Sequence, residues 1–535
     1  MHTPDWRFPY PSQRMPVLAR NVVATSQPLA TQAGMQALAK GGNAIDAVLA
    51  AAITLTVVEP NNNGVGSDAF AQVWDGQALH GLNASGRAPA GWHAERFRGR
   101  SRMPQHGWDS VTVPGAVSAW LALSERFGRL PFADLFSSAI HYAEQGFHVA
   151  PKTAFYWPFA VRQFEQRGDF MAHFAPRGRA PHTGELFRRP DLAHTLADIA
   201  ATHTASFYRG ALAERMVAHS QAEGGAMELA DLADHRCDWV QPIGAGFADV
   251  RLHEIPPNGQ GLAALIAARV LDVLGAPGMD PDSVDAVHLQ VEAMKLGVRA
   301  AFRWFADPAA MAAPAETFLD PQWIAELARG IDRRAASEQP LPALPMSHDT
   351  VYLAAADADG RMVSYIQSNY RGFGSGVVVP GTGIAMQNRG SGFVLDPAHP
   401  NCVGPRKRPY HTIIPGFVTR TDAAGTTTPV LAFGVMGGHM QPQGHLQMLM
   451  RICGAAQNPQ AASDAPRWHV YEDLALGLEQ GWPTATLDAL AARGHRVRIE
   501  PLEHVFGGAQ IIQRLEDGGY CAASDSRKEG HAAGL

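Results

Sequence analysis

One helix-length segment, residues 44–58, is apolar on nearly every face. It reads AIDAVLAAAITLTVV, whereas a helix on a protein surface would keep a polar side. Asn43 stands at the expected N-cap, after the helix-breaking pair Gly41-Gly42, and a second helical pattern covers residues 29–40. A helix without a polar face must be covered all round, which predicts that it lies between a sheet and other helices.

Strand-like segments dominate the last third of the chain, whereas the first two-thirds reads as mostly helical. An early hairpin is expected at residues 69–83, and helical patterns then continue to about Gly330. Central strands with helices before and among them predict an α+β fold with stacked sheets covered by helices on both outer sides. The later strand-like runs are residues 351–356, 362–366, 384–387, 430–433, 509–513 and 520–523, with helical patterns at 444–453 and 484–493.

Composition excludes several classes of protein. A net charge of -6 with scattered lysines and arginines gives no basic face for nucleic acid. The four cysteines stand far apart without a CxxC spacing, which argues against a disulfide framework and a cysteine zinc site. His411, His439 and His445 fall in one region without a carboxylate at helical spacing, and no phosphate-binding glycine pattern is present. We therefore expect neither a metal nor a cofactor.

No segment reads as a signal peptide or as a membrane span. The amino terminus is interrupted by prolines and has no apolar core of signal-peptide length. An uninterrupted apolar stretch of about 18 residues, long enough to cross a bilayer, is also missing from the sequence. These features predict a cytoplasmic protein without a membrane partner.

Thr350 is the best candidate for a nucleophile. It follows a Pro- and Ala-rich stretch, residues 337–349, and opens the strand-like run 350–356. If the Asp349–Thr350 peptide bond is cut, Thr350 gains an α-amine that titrates at about 7.7 to 8.0. Such an amine can accept the proton of the neighbouring hydroxyl, which makes the residue a nucleophile with its own base. Because an isolated Asp-Thr pair is usually a turn or a cap, the surrounding residues decide the interpretation.

Two other features could serve the same reaction. The run GVMGGHM, residues 434–440, lies between a strand and a helix, and its backbone N–H groups could bind an oxyanion. The alternative is an ordinary turn that needs glycine for its backbone conformation. Ser364 and Ser368 fall on the strand after Thr350 and offer hydroxyl groups that could align its side chain, although a serine at a strand end is often only decorative.

Several sequence blocks resemble the γ-glutamyltransferase (γ-glutamyltranspeptidase, glutathione hydrolase) family. The resemblance implies an N-terminal-nucleophile hydrolase with a four-layer αββα sandwich, made as one precursor. Cleavage between Asp349 and Thr350 would give a large subunit, residues 1–349, and a small subunit, residues 350–535, which together form one core. In chain order, the blocks are Pro28 to Ala30 continuing to Gly41 to Ala47, Val58 to Pro60, Thr112 to Gly115, Phe373 to Gly376, Pro380 to Ile384, Lys407 to Pro409 and Ala465 to Arg467.

The resemblance also assigns catalytic roles. Thr350 matches the nucleophile, and Ser368 matches a hydroxyl partner that is threonine in the family. Gly437 and Gly438 match the glycine pair of the oxyanion hole. In that mechanism, the Thr350 amine moves protons while water or an amine accepts the acyl group.

The substrate-binding positions depart from the pattern of glutathione-processing members. The aspartate that pairs with the substrate α-ammonium is Gly392 here, and a nearby glutamine is Arg389. A pocket with this change should favour a carboxylate over an ammonium, and Arg389 with Arg87 could grip one. A structural ion pair is the alternative role for Arg389. The other departures are Ser85 for an arginine, with Arg87 two residues on, Tyr370 for an asparagine, and His411-Thr412 for a serine pair.

Three functions remain open at this point. The family default is an amidohydrolase or acyltransferase for γ-glutamyl amides such as glutathione. The altered pocket makes an amide of a small acid without the α-amino group the alternative, such as oxamate, which is processed by the family's oxamate amidohydrolase branch, or a glutaryl or cephalosporin-type amide. An uncleaved binding protein is the third. The chain also looks shorter between Phe393 and Lys407 than in members with a lid loop, which favours water as acceptor. A homo-oligomer of processed subunit pairs is compatible with the resemblance.

Overall fold

The structure is a computed structural model that describes residues 13–341 and 349–535. Its helices are α1 Pro28–Ala39, α2 Ala44–Val58, α3 Ala116–Phe127, α4 Ser137–Gln145, α5 Pro151–Gln163, α6 Gly168–Phe174, α7 Pro190–Ala201, α8 Ala205–Arg209, α9 Ala211–Ala222, α10 Leu229–Ala233, α11 Gly261–Val273, α12 Val284–Trp304, α13 Pro321–Arg329, α14 Met440–Leu449, α15 Pro459–Asp464 and α16 Thr484–Ala492. Its strands are β1 Val17–Ala19, β2 Val22–Thr25, β3 Asp68–Trp74, β4 Leu79–Asn83, β5 Phe147–His148, β6 Leu186–Phe187, β7 Asp238–Val240, β8 Ile243–Phe247, β9 Val250–Glu254, β10 Asp349–Ala356, β11 Met362–Tyr370, β12 Val378–Val379, β13 Ile384–Ala385, β14 Gly416–Thr421, β15 Thr427–Met436, β16 Trp468–Val470, β17 Ala475–Leu478, β18 Arg496–Ile499, β19 Gly508–Arg514, β20 Tyr520–Ser524 and β21 His531–Gly534.

Two seven-stranded sheets form the centre of the fold. The first has the order β1-β20-β19-β15-β14-β9-β8, and the second has the order β21-β2-β10-β11-β3-β4-β7. Neighbouring strands in both sheets are antiparallel. Each of these two sheets therefore combines strands from before Thr350 with strands from Thr350 onwards.

Apolar side chains form three layers, which give the order helix, sheet, sheet, helix. The middle layer lies between the sheets and includes Phe70, Tyr352, Ile366, Phe417 and Ile512. One outer layer packs α1 to α4 on the second sheet, and the other packs α11, α12 and α14 on the first sheet. The stacked-sheet α+β architecture expected from the sequence is confirmed.

Helix α2 spans the residues expected from its apolar sequence. All of its residues are buried, between the second sheet and the neighbouring helices. The Asn43 side chain accepts hydrogen bonds from the backbone N–H groups of Ile45 and Asp46, so the expected N-cap is confirmed.

The expectation of mostly helical structure up to Gly330 is wrong for residues 238–254, which form β7, β8 and β9. Glycine has a low strand propensity, and β8 contains Gly244 and Gly246, so its sequence gives a weak strand signal. Tertiary pairing decides the outcome, because β7 joins the second sheet beside β4, whereas β8 and β9 join the first sheet beside β14. The segment at 384–387 is shorter than expected, because only Ile384 and Ala385 pair, with β12, in a small separate ribbon.

A buried ionic network fastens the end of the chain to the turn after β15. Asp525 and Arg467 are fully buried and lie 2.5 Å apart, and Arg527 contacts the same carboxylate at 3.2 Å. Arg467 also donates 2.8 Å to the carbonyl oxygen of Phe506. The next residue, Gly507, comes so close to β15 that an added Cβ would lie 2.2 Å from the Met436 oxygen. The network therefore holds the 506–508 segment against the glycine turn that begins at residue 437.

Within the described ranges, none of the helices combines the length and the apolar character that a membrane-crossing segment needs.

Replacing Asp525 by asparagine should destabilise the fold. The change leaves two buried guanidinium groups without their shared carboxylate, and breaking a buried ion pair costs about 3–5 kcal/mol. Urea denaturation at pH 7 measures the loss of unfolding free energy. Glu516→Gln, in the exposed turn between β19 and β20, is the control and should stay within about 0.5 kcal/mol of the wild type.

The stability difference between the wild type and Asp525→Asn should depend on pH. Burial alone would raise the pKa of Asp525, but Arg467 and Arg527 outweigh it and hold that pKa below 3.8, the value of an unperturbed aspartate. The stabilisation is therefore complete above pH 3.8 and is lost as the pH falls below it. The difference in unfolding free energy between the wild type and Asp525→Asn should become smaller in acid. A difference that is constant from pH 7 to pH 3 would contradict this account.

Candidate active site

Thr350 lies near the start of β10, in the middle of the second sheet. Its side chain is buried, with 1% exposure, and its Oγ1 donates a hydrogen bond of 3.0 Å to Ser368 Oγ on β11. Side chains alternate along a strand, and Ser368 lies on the same face of β11 as Ile366, which belongs to the middle apolar layer. The structure thus brings the predicted nucleophile and its predicted hydroxyl partner together at the edge of the space between the sheets.

The Ser368 hydroxyl oxygen gathers several donors. Besides Thr350, it accepts hydrogen bonds from the Tyr370 backbone N–H at 2.8 Å and from Arg389 Nη2 at 2.9 Å. Tyr370 has a φ of 79°, in the left-handed region that residues with a side chain seldom adopt. This turn takes the chain out of β11 while keeping the Tyr370 amide on Ser368.

Arg389 places a buried positive charge beside Ser368. Its side chain is 1% exposed, its Nη1 donates 2.6 Å to Thr412 Oγ1, and its guanidinium lies 4.5 Å from the Tyr370 ring centre. Burial lowers the pKa of Arg389 to about 10, so the group is still protonated at neutral pH. Among the residues that the structure describes, no carboxylate lies within salt-bridge distance of this guanidinium, and its Nε has no hydrogen-bond partner.

A second buried pair, Asp68 and His411, lies behind this group. Asp68 is opposite Ser368 in the pairing of β3 with β11, and His411 Nε2 lies 3.1 Å from Asp68 Oδ2. Burial raises the pKa of Asp68 to about 7, although Arg389 opposes the shift. Burial also lowers the pKa of His411 well below its usual value, and Arg389 adds to that effect. His411, predicted to bind substrate, therefore contacts Asp68.

Two glycines bring backbone donors to Asp68. The N–H groups of Gly86 and Gly115 each donate 3.1 Å to Asp68 Oδ1. An added Cβ would lie 1.5 Å from the Val113 oxygen at Gly86 and 1.4 Å from the Ala84 oxygen at Gly115, so only glycine fits.

Gly437 and Gly438 form the turn between β15 and α14, with φ values of 139° and 58°. Neither backbone N–H donates to an acceptor within the described part of the chain. Across the middle layer, the Tyr352 ring packs on Gly434, where an added Cβ would lie 2.3 Å from the ring. This contact fixes the end of β15 opposite the start of β10, so the glycine turn and Thr350 belong to facing strands.

Gln260 is a site residue that the sequence reasoning missed. Its Nε2 donates 2.8 Å to the Gly438 oxygen and 2.6 Å to the Thr412 oxygen. One side chain thus joins the glycine turn to the segment that holds Arg389. A signal was present in the run Pro257 to Gly261, which is rich in turn formers and lies between a strand and a helix.

The other predicted binding residues lie in a separate network. Ser85 is fully buried and donates 2.7 Å to Asn83 Oδ1. The Arg87 side chain is 41% exposed and lies 3.5 Å from both Asp238 and Asp307. The structure therefore groups Thr350, Ser368, Tyr370, Arg389 and Thr412, and it gives Arg87 carboxylate partners of its own.

Gly392 has no room for the aspartate that glutathione-processing members are expected to carry there. An added Cβ would lie 2.8 Å from the Tyr410 carbonyl oxygen. A longer side chain at this position would require the 409–411 segment to move.

The three histidines of this region do not converge on one point. His411 contacts Asp68, His445 Nδ1 lies 2.6 Å from Glu254 Oε1, and His439 Nδ1 lies 3.2 Å from Gln260 Oε1. The three imidazole rings therefore have different side-chain partners.

Comparisons with known proteins agree with this geometry. The family model described as gamma-glutamyltranspeptidase matches residues 30–535. A glutathione hydrolase-like proenzyme (YwrD) of Bacillus subtilis is 34% identical over 96% of this chain and 98% of its own length. An oxamate amidohydrolase proenzyme of Klebsiella pneumoniae is also 34% identical, over 95% of this chain and 97% of its own length.

A solved structure matches still more closely in sequence. The cephalosporin acylase of Bacillus halodurans superposes with a TM-score of 0.94 and 46% identity, over 100% of this chain and 99% of that chain. The predicted αββα fold and the predicted class of enzyme are confirmed. The chain belongs to the γ-glutamyltranspeptidase family of N-terminal-nucleophile amidohydrolases.

Proposed function

We propose that the protein cleaves its own Asp349–Thr350 bond and then hydrolyses amides whose acyl part carries a carboxylate but no α-ammonium. The observation that carries the choice of substrate is the buried Arg389 guanidinium, which has no carboxylate partner in the described part of the chain. A buried cation is costly without an anion, and a substrate carboxylate would supply one. Gly392 leaves no side chain to pair with an ammonium, which supports the same choice.

Maturation follows from the position of Thr350. Its hydroxyl oxygen attacks the carbonyl carbon of Asp349, the peptide bond shifts to an ester, and water hydrolyses the ester to free the Thr350 amine. The products are residues 1–349 and 350–535. Because each of the two central sheets contains strands of both pieces, the two subunits stay assembled after the cut.

Turnover uses the same hydroxyl. The Thr350 amine takes the hydroxyl proton as the oxygen attacks the amide carbonyl, and the N–H groups of Gly437 and Gly438 bind the oxyanion. Collapse of the tetrahedral intermediate expels the amine part of the substrate, which takes the proton from the Thr350 α-amine, and leaves an acyl ester on Thr350. Water then attacks the ester, with the Thr350 α-amine as base, and releases the acid. Ser368 orients the nucleophile, and Arg389 binds the acyl carboxylate.

γ-Glutamyl amides such as glutathione are the second candidate. The similarity to a glutathione hydrolase-like proenzyme over nearly the whole chain favours them. Their α-ammonium would, however, lie beside the positive charge of Arg389. It would also lack the pairing aspartate that glutathione-processing members are expected to carry at the position of Gly392. A γ-glutamyl amide also carries a carboxylate, so the substrates that separate the two candidates differ only in the α-amino group.

Maturation is tested by Thr350→Ala. The wild type should run as two fragments on a denaturing gel, and the small fragment should begin Thr-Val-Tyr-Leu. Thr350→Ala should remain one chain without amidase activity, since it has no nucleophile. Ser364→Ala is the matched control on β11, because Ser364 Oγ bonds the Tyr352 hydroxyl at 2.7 Å and not Thr350, and it should still be cleaved. A full-length wild type with complete activity would refute the maturation step.

Substrate choice is tested by Arg389→Gln with two p-nitroanilides. Glutaryl and pentanoyl groups differ only in the terminal carboxylate, and we expect the wild type to prefer the glutaryl compound. Arg389→Gln should reduce this preference by roughly 10- to 100-fold, because a charge-assisted hydrogen bond contributes about 1.5–3 kcal/mol. The ratio of kcat/KM values is the readout, since Arg389 also contacts Ser368 and its loss slows both substrates.

Arg87→Gln serves as the control for that ratio. Its guanidinium already lies 3.5 Å from Asp238 and Asp307, so the preference should change less than about threefold. γ-Glutamyl-p-nitroanilide, which adds only the α-amino group, should be a poorer substrate than the glutaryl compound. If it is the better substrate, and Arg389→Gln does not alter the ratio of glutaryl to pentanoyl, the second candidate replaces the first.

A further inference from the structure

A cavity of about 500 Å³ lies directly beside the candidate active site. Its lining includes Tyr370, Gly392, Tyr410 and His439. Tyr370 is two residues after Ser368, Gly392 is three after Arg389, Tyr410 is two before Thr412, and His439 follows Gly438. The segments that carry Ser368, Arg389, Thr412 and Gly438 thus all contribute to the lining. A group in the cavity is therefore within reach of an acyl group bound at Thr350.

Five phenylalanine and tyrosine side chains line the cavity. Phe302 and Phe305 come from the end of α12, and Phe393 comes from the loop after Arg389. The Phe302 ring centre lies 5.2 Å from that of Tyr410 and 5.2 Å from that of His439. Burial lowers the pKa of His439 to about 3, so this ring is neutral at working pH and adds to the apolar lining. A flat, ring-sized group fits this surface.

The lining of the cavity also includes three charged side chains, Arg102, Arg371 and Glu472. Arg371 Nη1 donates a hydrogen bond of 2.9 Å to Gln105 Oε1. Among the side chains that the structure describes, no carboxylate lies within salt-bridge distance of Arg371, and the Arg371 Nε is buried without a hydrogen-bond partner. Arg408 and Arg87, by contrast, pair with Asp238. A half-buried guanidinium with spare donors is suited to a carboxylate.

The Tyr370 ring lies close to both Arg371 and Arg389. The guanidinium carbons of Arg389 and Arg371 lie 4.5 Å and 5.8 Å from the centre of this ring. The site therefore offers two arginines, one beside Ser368 and one in the cavity, that share an aromatic neighbour. Two anionic groups on one substrate, joined by a flat segment, match this arrangement.

We propose that the cavity is a subsite for the amine part of the substrate, and that it selects aromatic amines bearing a carboxylate, which Arg371 binds. The inference rests on the proposed function, in which Arg389 binds the carboxylate of the acyl part, so that Arg371 is available to bind a carboxylate of the amine part. The preferred substrate is accordingly an amide with one carboxylate on each side of the scissile bond. Arg371 acts on specificity and takes no part in the bond-breaking step.

The test compares two glutaryl anilides that differ only in the amine part, glutaryl-p-nitroanilide and glutaryl-3-carboxy-4-nitroanilide. The wild type should favour the carboxylated compound by about tenfold in kcat/KM, chiefly through KM. Arg371→Gln should bring the ratio close to one, and Arg371→Lys should keep part of the preference. Arg406→Gln is the control, since that side chain is 61% exposed and faces Asp234, and it should leave the ratio at the wild-type value.

The outcomes separate this inference from the proposed function. Equal wild-type kcat/KM values for the two anilides, or a preference that survives in Arg371→Gln, overturn the inference. If the preference for glutaryl over pentanoyl persists and still depends on Arg389, the proposed function stands even though the Arg371 subsite does not. Complete maturation of each variant on a denaturing gel shows that a lost preference is not a folding defect, and the wild-type comparison decides alone if Arg371→Gln fails to fold.

Discussion

The packing of two antiparallel sheets face to face is the constraint on which the rest of this structure depends. It divides each central strand into a face that meets helices and a face that meets the other sheet, and in β10 these faces hold Leu353 and Tyr352, respectively. Thr350 and Ser368 stand at the ends of inward-facing rows of side chains. Ser368 pairs with Asp68 of β3, and β10 pairs with β11 at the residues before and after Thr350, so the hydroxyl pair is held within the sheet.

Charge is distributed unusually within this frame. Arg389 and Asp68 are both buried, yet they make no direct ion pair. Asp68 is satisfied by two backbone N–H groups and His411, whereas Arg389 is satisfied on one side only, by Ser368 and Thr412. A buried guanidinium with only some of its N–H donors bonded destabilises the fold, and such destabilisation is typical of a group that binds a ligand.

Much of the fold could be predicted from the sequence, because its strongest patterns are local. The all-apolar α2 and the central strands β10, β15 and β19 carry their periodicity in their own residues. Strands β8 and β9 were missed, since Gly244 and Gly246 weaken the local signal and pairing with β14 decides the outcome. The number of sheets and their facing arrangement followed from the resemblance more than from any single segment.

The candidate site was predictable to a similar degree and for a similar reason. Thr350, Ser368 and the glycine pair lie at the ends of recognisable strands, which made them candidates, and the resemblance assigned their roles. The roles of Gln260 and Arg371 were missed, because they come from what stands opposite these residues in space. Arg87 shows the converse, since its position two residues from Ser85 suggested a role in binding while its side chain turns to Asp238 and Asp307.

The combination of strands from both parts of the chain in each central sheet has a consequence for the lifetime of the mature enzyme. As one chain, the precursor reaches this arrangement by closing loops, at an entropic cost that grows only slowly with loop length. Once the bond before Thr350 is cut, an unfolded molecule must find its other half by diffusion, at a rate set by concentration. Maturation thus makes assembly a step taken once, and the working lifetime of the enzyme is governed by how slowly it unfolds.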